Sequence, residues 1–160
     1  MGDFPFVLTF IVAVSTAAVG GVLFAFSGFV MRALARVSPD RGIAVMQQIN
    51  ITVMHWLCGL LFFGTGLACI YLIVRAFMDV EAPEAGYLLA GGLLYVFGGL
   101  AVTGAFNVPL NNKLAKFDPT SAEGHAFWRK FVPVWLAANH VRTTACFAAS
   151  ACFVAGLLQA

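Results

Sequence analysis

The stretch Trp135-x-x-x-Asn139-His140-Val141-Arg142-Thr143-Thr144 sets an indole, a carboxamide, an imidazole and a guanidinium inside an otherwise apolar run. Together these groups suit the handling of an anion. An imidazole moves protons near neutral pH, and a guanidinium keeps its charge and offers five donors. More polar residues stand in two other apolar runs. Asn50, Thr52 and His55 open one, and Thr103 and Asn107 close another, followed by Asn111 and Asn112. On a helix turning about 100° per residue, Trp135, Asn139, Arg142 and Thr143 share an arc of roughly 100°. His140 and Thr144 fall about 100° further round, on a face expected to turn toward a second helix. No Asp or Glu interrupts any apolar run. Arg142 must therefore pair with carbonyls, Asn side chains or an anionic ligand.

Holding these groups falls to helices in a lipid bilayer. Charged residues are 10% of the chain and apolar ones 61%, against about 25% charged in soluble domains. Too few charges remain to cover a water-facing surface. A bilayer core about 30 Å thick needs about 20 apolar residues in a helix. Four runs meet that length, at about 5–30, 51–74, 86–106 and 134–158. The sequence thus predicts an all-α protein, a four-transmembrane-helix bundle forming a single integral membrane domain over 1–160. The first run has only Asp3 before it and lacks the positive start of a cleaved signal.

The connections carry the charge. Arg32, Arg36 and Arg41 lie between the first two runs, and Lys113, Lys116, Arg129 and Lys130 between the third and fourth. Between the second and third, Arg75 stands with Asp79, Glu81 and Glu84. Basic connections stay cytoplasmic, so both termini are expected on the non-cytoplasmic side and the polar residues in the cytoplasmic half. Short interfacial helices are expected in both cytoplasmic connections. One starts at Ser38-Pro39, with Ser38 as N-cap, and runs through Gln47, Gln48 and Asn50 into the second span. The other starts near Asp118-Pro119-Thr120 and lays the segment from His125 to Phe131 along the interface, with Trp128 at headgroup depth. No basic block points to nucleic acid.

Structural readings stand beside the functional ones. Asn107 and Asn139 can serve as hydrogen-bonding links between helices, Arg142 can reach toward the interface, and His55 can be a satisfied interface histidine. His125 reads as solvated, and Pro109 as the residue that ends the third span. Cys58, Cys69, Cys146 and Cys152 read as small buried hydrophobes. The pairs Gly20-Gly21, Gly91-Gly92 and Gly98-Gly99 read as places of close helix approach, and the third span's glycines would also suit a homodimer.

Several strings place the chain near a known family. Phe26-Ser27-Gly28-Phe29-Val30-Met31, the segment from Ile43 to Asn50, Phe106-Asn107-Val108-Pro109-Leu110-Asn111 and Trp135-x-x-x-Asn139-His140-Val141-Arg142-Thr143 occur in order along almost the whole chain. They resemble the anthrone-oxygenase-like family of small membrane proteins. The resemblance implies four membrane helices and oxidation of an anthrone to an anthraquinone by O2 without a cofactor. Asn50, Asn107, Asn111, Trp135, Asn139, His140 and Arg142 match the shared pattern, whereas His55-Trp56 does not.

On this reading His140 is the base, Arg142 and Asn139 stabilise the developing oxyanion, and Asn107, Asn111, Trp135, Asn50 and His55 hold a lipophilic substrate. Two other readings stay open: a haem or copper protein using His55 and His140, and a non-catalytic membrane subunit that binds lipid or a partner.

Overall fold

The computed structural model describes residues 2–53 and 56–160. It is all-α, with no strand among the described residues. Five helical rods follow one another: α1 Asp3–Arg36, α2 Pro39–Thr52, α3 Trp56–Met78, α4 Ala85–Leu114 and α5 Ala122–Leu157. Three of these, α1, α3 and α4, are long and apolar enough to cross a membrane. At about 1.5 Å per residue even α3 spans roughly 35 Å. Their outward faces carry Phe10, Phe24, Phe63, Leu67, Phe77 and Phe97, all exposed. So many exposed apolar side chains are compatible with a surface that meets lipid. The last helix, α5, is the longest, with 36 residues, and it carries Arg142 part-way along.

Helix α5 is the rod on which the others assemble, packing along α1 and α4 and against α2. Two apolar cores result. One, from Val12, Val19, Leu72, Leu88, Tyr95 and Phe153, fills the end that holds the chain termini. The other, from Met31, Ile43, Met46, Leu114, Phe131 and Trp135, fills the opposite end. Glycines set the close approaches. A Cβ on Gly98 would overlap that of Ala145 on α5, and one on Gly91 would lie 2.9 Å from the Phe153 ring. On Gly42 it would meet the Leu34 carbonyl at 2.8 Å and the Trp128 ring at 3.0 Å.

Several expectations change. Trp128 is buried, because its ring lies over Gly42 and stacks on Phe131 at 5.4 Å. The segment from His125 to Phe131 forms the first turns of α5 and is not a separate interfacial helix. That helix starts at Ala122, with the Ser121 hydroxyl accepting from the Gly124 amide. Before it, the Asp118 carboxylate accepts from the Thr120 amide and hydroxyl at 2.8 and 2.7 Å. His125 contacts the Pro119 carbonyl at 2.9 Å and is half-buried.

Pro109 does not end the third span, and α4 continues to Leu114. The loosely wound turn Thr103–Asn107 comes directly before it. Such turns re-space the hydrogen-bond ladder, and here one gives room to a residue with no N–H. Similar wide turns occur at Phe26–Val30, Leu60–Gly64 and Leu94–Ala101. Helix α2 begins at Pro39 as expected but ends at Thr52, so it does not run unbroken into the second span. Cys58 is exposed and Cys152 half-buried; only Cys69 and Cys146 are fully buried.

Two outcomes follow from this packing. Gly98→Ala is expected to lower stability in detergent by about 1–3 kcal/mol, the usual penalty of overpacking. Gly21→Ala, which meets nothing within 4 Å, should leave the thermal midpoint in place. Equal midpoints for the two variants would contradict the close α4–α5 contact. The second outcome concerns pH. The bonds from Thr120 hold the Asp118 carboxyl below its usual range. A folded-state value below the unfolded one means the turn's stabilisation is complete above the unfolded value, about 4, and fades as pH falls through the lower folded value. Amide exchange at Thr120 should speed up over that acidic window, and Asp118→Asn should remove the dependence.

Candidate functional site

Between the two apolar cores lies a polar layer built from α1, α4 and α5. On α5 the inward stripe Trp135, Asn139, Arg142 and Thr143 is buried, as its shared arc requires. On α4, Thr103, Asn107 and Asn111 follow at intervals of four residues, one helical face. On α1 the layer uses Ser27, inside the wide turn Phe26–Val30.

Asn139 is the knot of this layer and is fully buried. Its amide nitrogen donates to the Leu23 carbonyl and to the Ser27 hydroxyl, both at 2.8 Å. Its oxygen accepts from an Arg142 terminal nitrogen at 2.5 Å. Ser27 also meets the Thr143 hydroxyl at 3.2 Å, and Thr143 donates to the Asn139 carbonyl at 2.8 Å. The other terminal nitrogen of Arg142 donates to Thr103 at 3.1 Å, and Thr103 in turn donates to the Gly99 carbonyl. The guanidinium carbon stands 5.4 Å from the Trp135 ring centroid, a cation–π contact. Trp135 donates to the Asn111 side chain at 2.9 Å, and its carbonyl accepts from Asn107 at 3.2 Å.

Every partner of Arg142 among the described residues is therefore neutral. The residue is only 6% exposed, and its Nε has no hydrogen-bond partner among the described residues. The same is true of two further buried atoms, Asn107 Oδ1 and Asn50 Nδ2. Buried polar atoms are nearly always satisfied, so two open donors and an open acceptor mark a place for a polar ligand or water. Gln47, one turn before Asn50, donates to the carbonyls of Leu114 and Phe117 at 3.0 Å, which ties α2 to the end of α4.

The structure thus brings together Asn107, Asn111, Trp135, Asn139 and Arg142. Asn50 lies half-buried on α2. It does not bring His140 to them. His140 and Thr144 lie on an exposed face of α5, because no second helix covers the angle next to the Asn139 stripe. His55 lies outside the described residues. Among the described residues no group of three or more His, Cys, Asp or Glu side chains could hold a metal. Ser27 escaped the sequence reading as a site residue. Span one also has Thr9, Ser15 and Thr16, and nothing in their spacing singles out Ser27.

The protein-family model described as anthrone oxygenase matches residues 46–152, more than half of the chain. The matched region contains the whole polar layer except Ser27 and Leu23. No curated protein and no solved structure matched the chain.

Asn139→Ala removes two bonds that link α1 to α5 and strips Arg142 of its amide partner. The expected loss is about 1–3 kcal/mol, from interhelical bonds worth roughly 0.6 kcal/mol each plus a buried charge left under-paired. His140→Ala should stay within about 0.5 kcal/mol of the parent, as exposed positions do. Thermal denaturation in one detergent compares the two; a larger loss in the His140 variant would place the imidazole inside the bundle.

Proposed function

The chain belongs to the anthrone oxygenase family, and on that premise we propose that it is a membrane-embedded oxygenase converting an anthrone-like polycyclic phenol to a quinone with O2. We read the protein as a bundle of four membrane-crossing helices, with α5 as the fourth. Its two termini lie on the non-cytoplasmic side, and Arg32, Arg36, Arg41, Lys113, Lys116, Arg129 and Lys130 face the cytoplasm. The contact of Phe4 with Tyr71 and that of Gly156 with Tyr87 join both termini to the α3–α4 turn at the end opposite the cations.

The observation that carries the proposal is the buried guanidinium with neutral partners and an unused Nε. A cation fixed at bilayer depth without a counter-ion favours an anionic guest. An anthrone supplies one, because losing a ring-methylene proton leaves an aromatic, phenolate-like anion. Arg142 would stabilise the oxyanion, which lowers the free energy needed to form it. Trp135 would line the flat rings. Asn107 Oδ1 would accept from a ring hydroxyl, and Asn50 Nδ2 would donate to a second oxygen. Asn139 and Asn111 hold Arg142 and Trp135 in place and act as positioning residues.

The electron-rich anion can pass an electron to O2 directly, so the chemistry needs no resident cofactor. Combination at the ring carbon and loss of water then balance the reaction. One O2 is consumed, one of its oxygens becomes the new carbonyl, and the other leaves as water with the two methylene hydrogens. The imidazole of His140 faces outward and takes no part as base in this reading; Arg142 makes the ring methylene more acidic, and the proton it loses passes to water.

The test is oxygen uptake and quinone absorbance with purified protein and a simple hydroxylated anthrone. The parent should turn over, and Arg142→Gln should lose about 10²–10³-fold in kcat, the usual effect of removing an oxyanion donor. Asn107→Ala should chiefly raise KM. Folded parent protein that adds nothing to the buffer rate would sink the proposal, as would an Arg142→Gln variant with full kcat.

A further inference from the structure

A second feature lies beside the polar layer. A groove of about 380 Å³ opens between α1, α2 and the start of α3. This is within the range of about 300–1,000 Å³ usual for small-molecule sites. Its wall is apolar, from Val45, Ile49 and Val53 on α2, and its floor is the ring of Phe26 on α1. The polar side chains in its lining sit together on one rim. They are Gln48 and Thr52, one turn apart on α2 and 3.5 Å from each other. Val53 of the lining is exposed, as are Ile51 and Trp56 beside the lining residues in the chain.

Phe26 separates this groove from the polar layer. On its far side the ring packs against Trp135, with centroids 5.6 Å apart. Trp135 in turn lies over the Arg142 guanidinium. One aromatic pair therefore runs from the groove to the buried cation. The side chain of Phe26 is only half-buried and sits in the wide turn Phe26–Val30.

We propose that this groove is the port through which a flat, lipophilic polycyclic molecule leaves the bilayer, and that Phe26 is the ring it displaces to reach Trp135 and Arg142. The proposal rests on the oxygenase reading. An apolar wall, an aromatic floor and polar atoms along one rim fit a planar hydrocarbon body with an oxygen at its edge. A flexible acyl chain would use neither the ring nor the rim. Steric occlusion at Phe26 should alter access without altering the chemistry at Arg142.

Cys58 lines the groove and is exposed, while Cys69 and Cys146 are buried and Cys152 is half-buried. Its alkylation by N-ethylmaleimide, followed by mass spectrometry on the intact purified protein, reports occupancy without turnover. A hydroxylated anthraquinone is the probe, and an oleate control is run in parallel. With the quinone at roughly ten times its Kd, alkylation of Cys58 should slow about tenfold. In Phe26→Trp, which adds bulk at the floor, KM for an anthrone should rise several-fold while kcat holds.

Unslowed alkylation in a protein that oxidises an anthrone overturns the port and leaves the oxygenase reading standing. Protection of Cys58 in a protein that oxidises no anthrone supports the groove as a polycycle site and removes the oxygenase reading. Equal protection by oleate shows an acyl-chain groove and overturns the port. A Phe26→Trp variant that loses kcat with unchanged KM would move Phe26 from access to chemistry, against the proposal.

Discussion

The structure depends on one buried charge. Arg142 stands part-way along α5, buried among largely apolar helices, and no carboxylate among the described residues answers it. Burying a cation without a counter-ion is costly, and fixed dipoles must offset that. Asn139 supplies its oxygen, Thr103 its hydroxyl and Trp135 its ring face. Each of these partners is itself held by another element. The amide of Asn139 is anchored on α1 through Leu23 and Ser27, and the indole of Trp135 is anchored on α4 through Asn111. The guanidinium thus binds three helices without any ion pair. Removing one member leaves others unsatisfied, so the layer stands or falls as a unit.

Helix geometry had to be adjusted to make such a layer. A regular helix carries its faces round at a constant rate, and long membrane helices offer few places to correct the phase. The wide turns do this. The turn at Phe26–Val30 contains Ser27, and the turn at Thr103–Asn107 contains two of the three α4 residues that meet Trp135 and Arg142. The second also takes up the disturbance from Pro109, so the helix continues and delivers Asn111 to the indole. Glycines complete the arrangement by letting α4 approach α5 so closely that Gly98 abuts Ala145. Short side-chain reach from α4 to Arg142 follows from that approach.

Legibility in the sequence followed the range of the physics. Hydropathy marks the membrane segments, because satisfying the backbone in lipid requires helices. The arc shared by Trp135, Asn139, Arg142 and Thr143 is a local property of helical winding, and the absence of Asp and Glu from the apolar runs already implied neutral partners for Arg142. Other expectations needed knowledge of neighbours. The burial of Trp128 shows only once Gly42 of α2 is seen beneath it. Pro109 reads as a helix end until the wide turn before it is known. Ser27 looks like any other hydroxyl in its span until Asn139 reaches across to it.

The sequence by itself determined that this is a helical protein with segments long and apolar enough to cross a membrane, and with a cationic, donor-rich face on its last long helix. It determined this because composition and the winding of a single helix are enough. Only the tertiary structure decided which angle of that helix is covered. It turned Asn139 and Arg142 inward and left His140, one residue away, on an exposed face. Helical periodicity fixes angles between residues of one helix. It says nothing about where α1, α2 and α4 will stand around that helix, and their positions are set by glycine contacts and apolar packing over long separations in the chain.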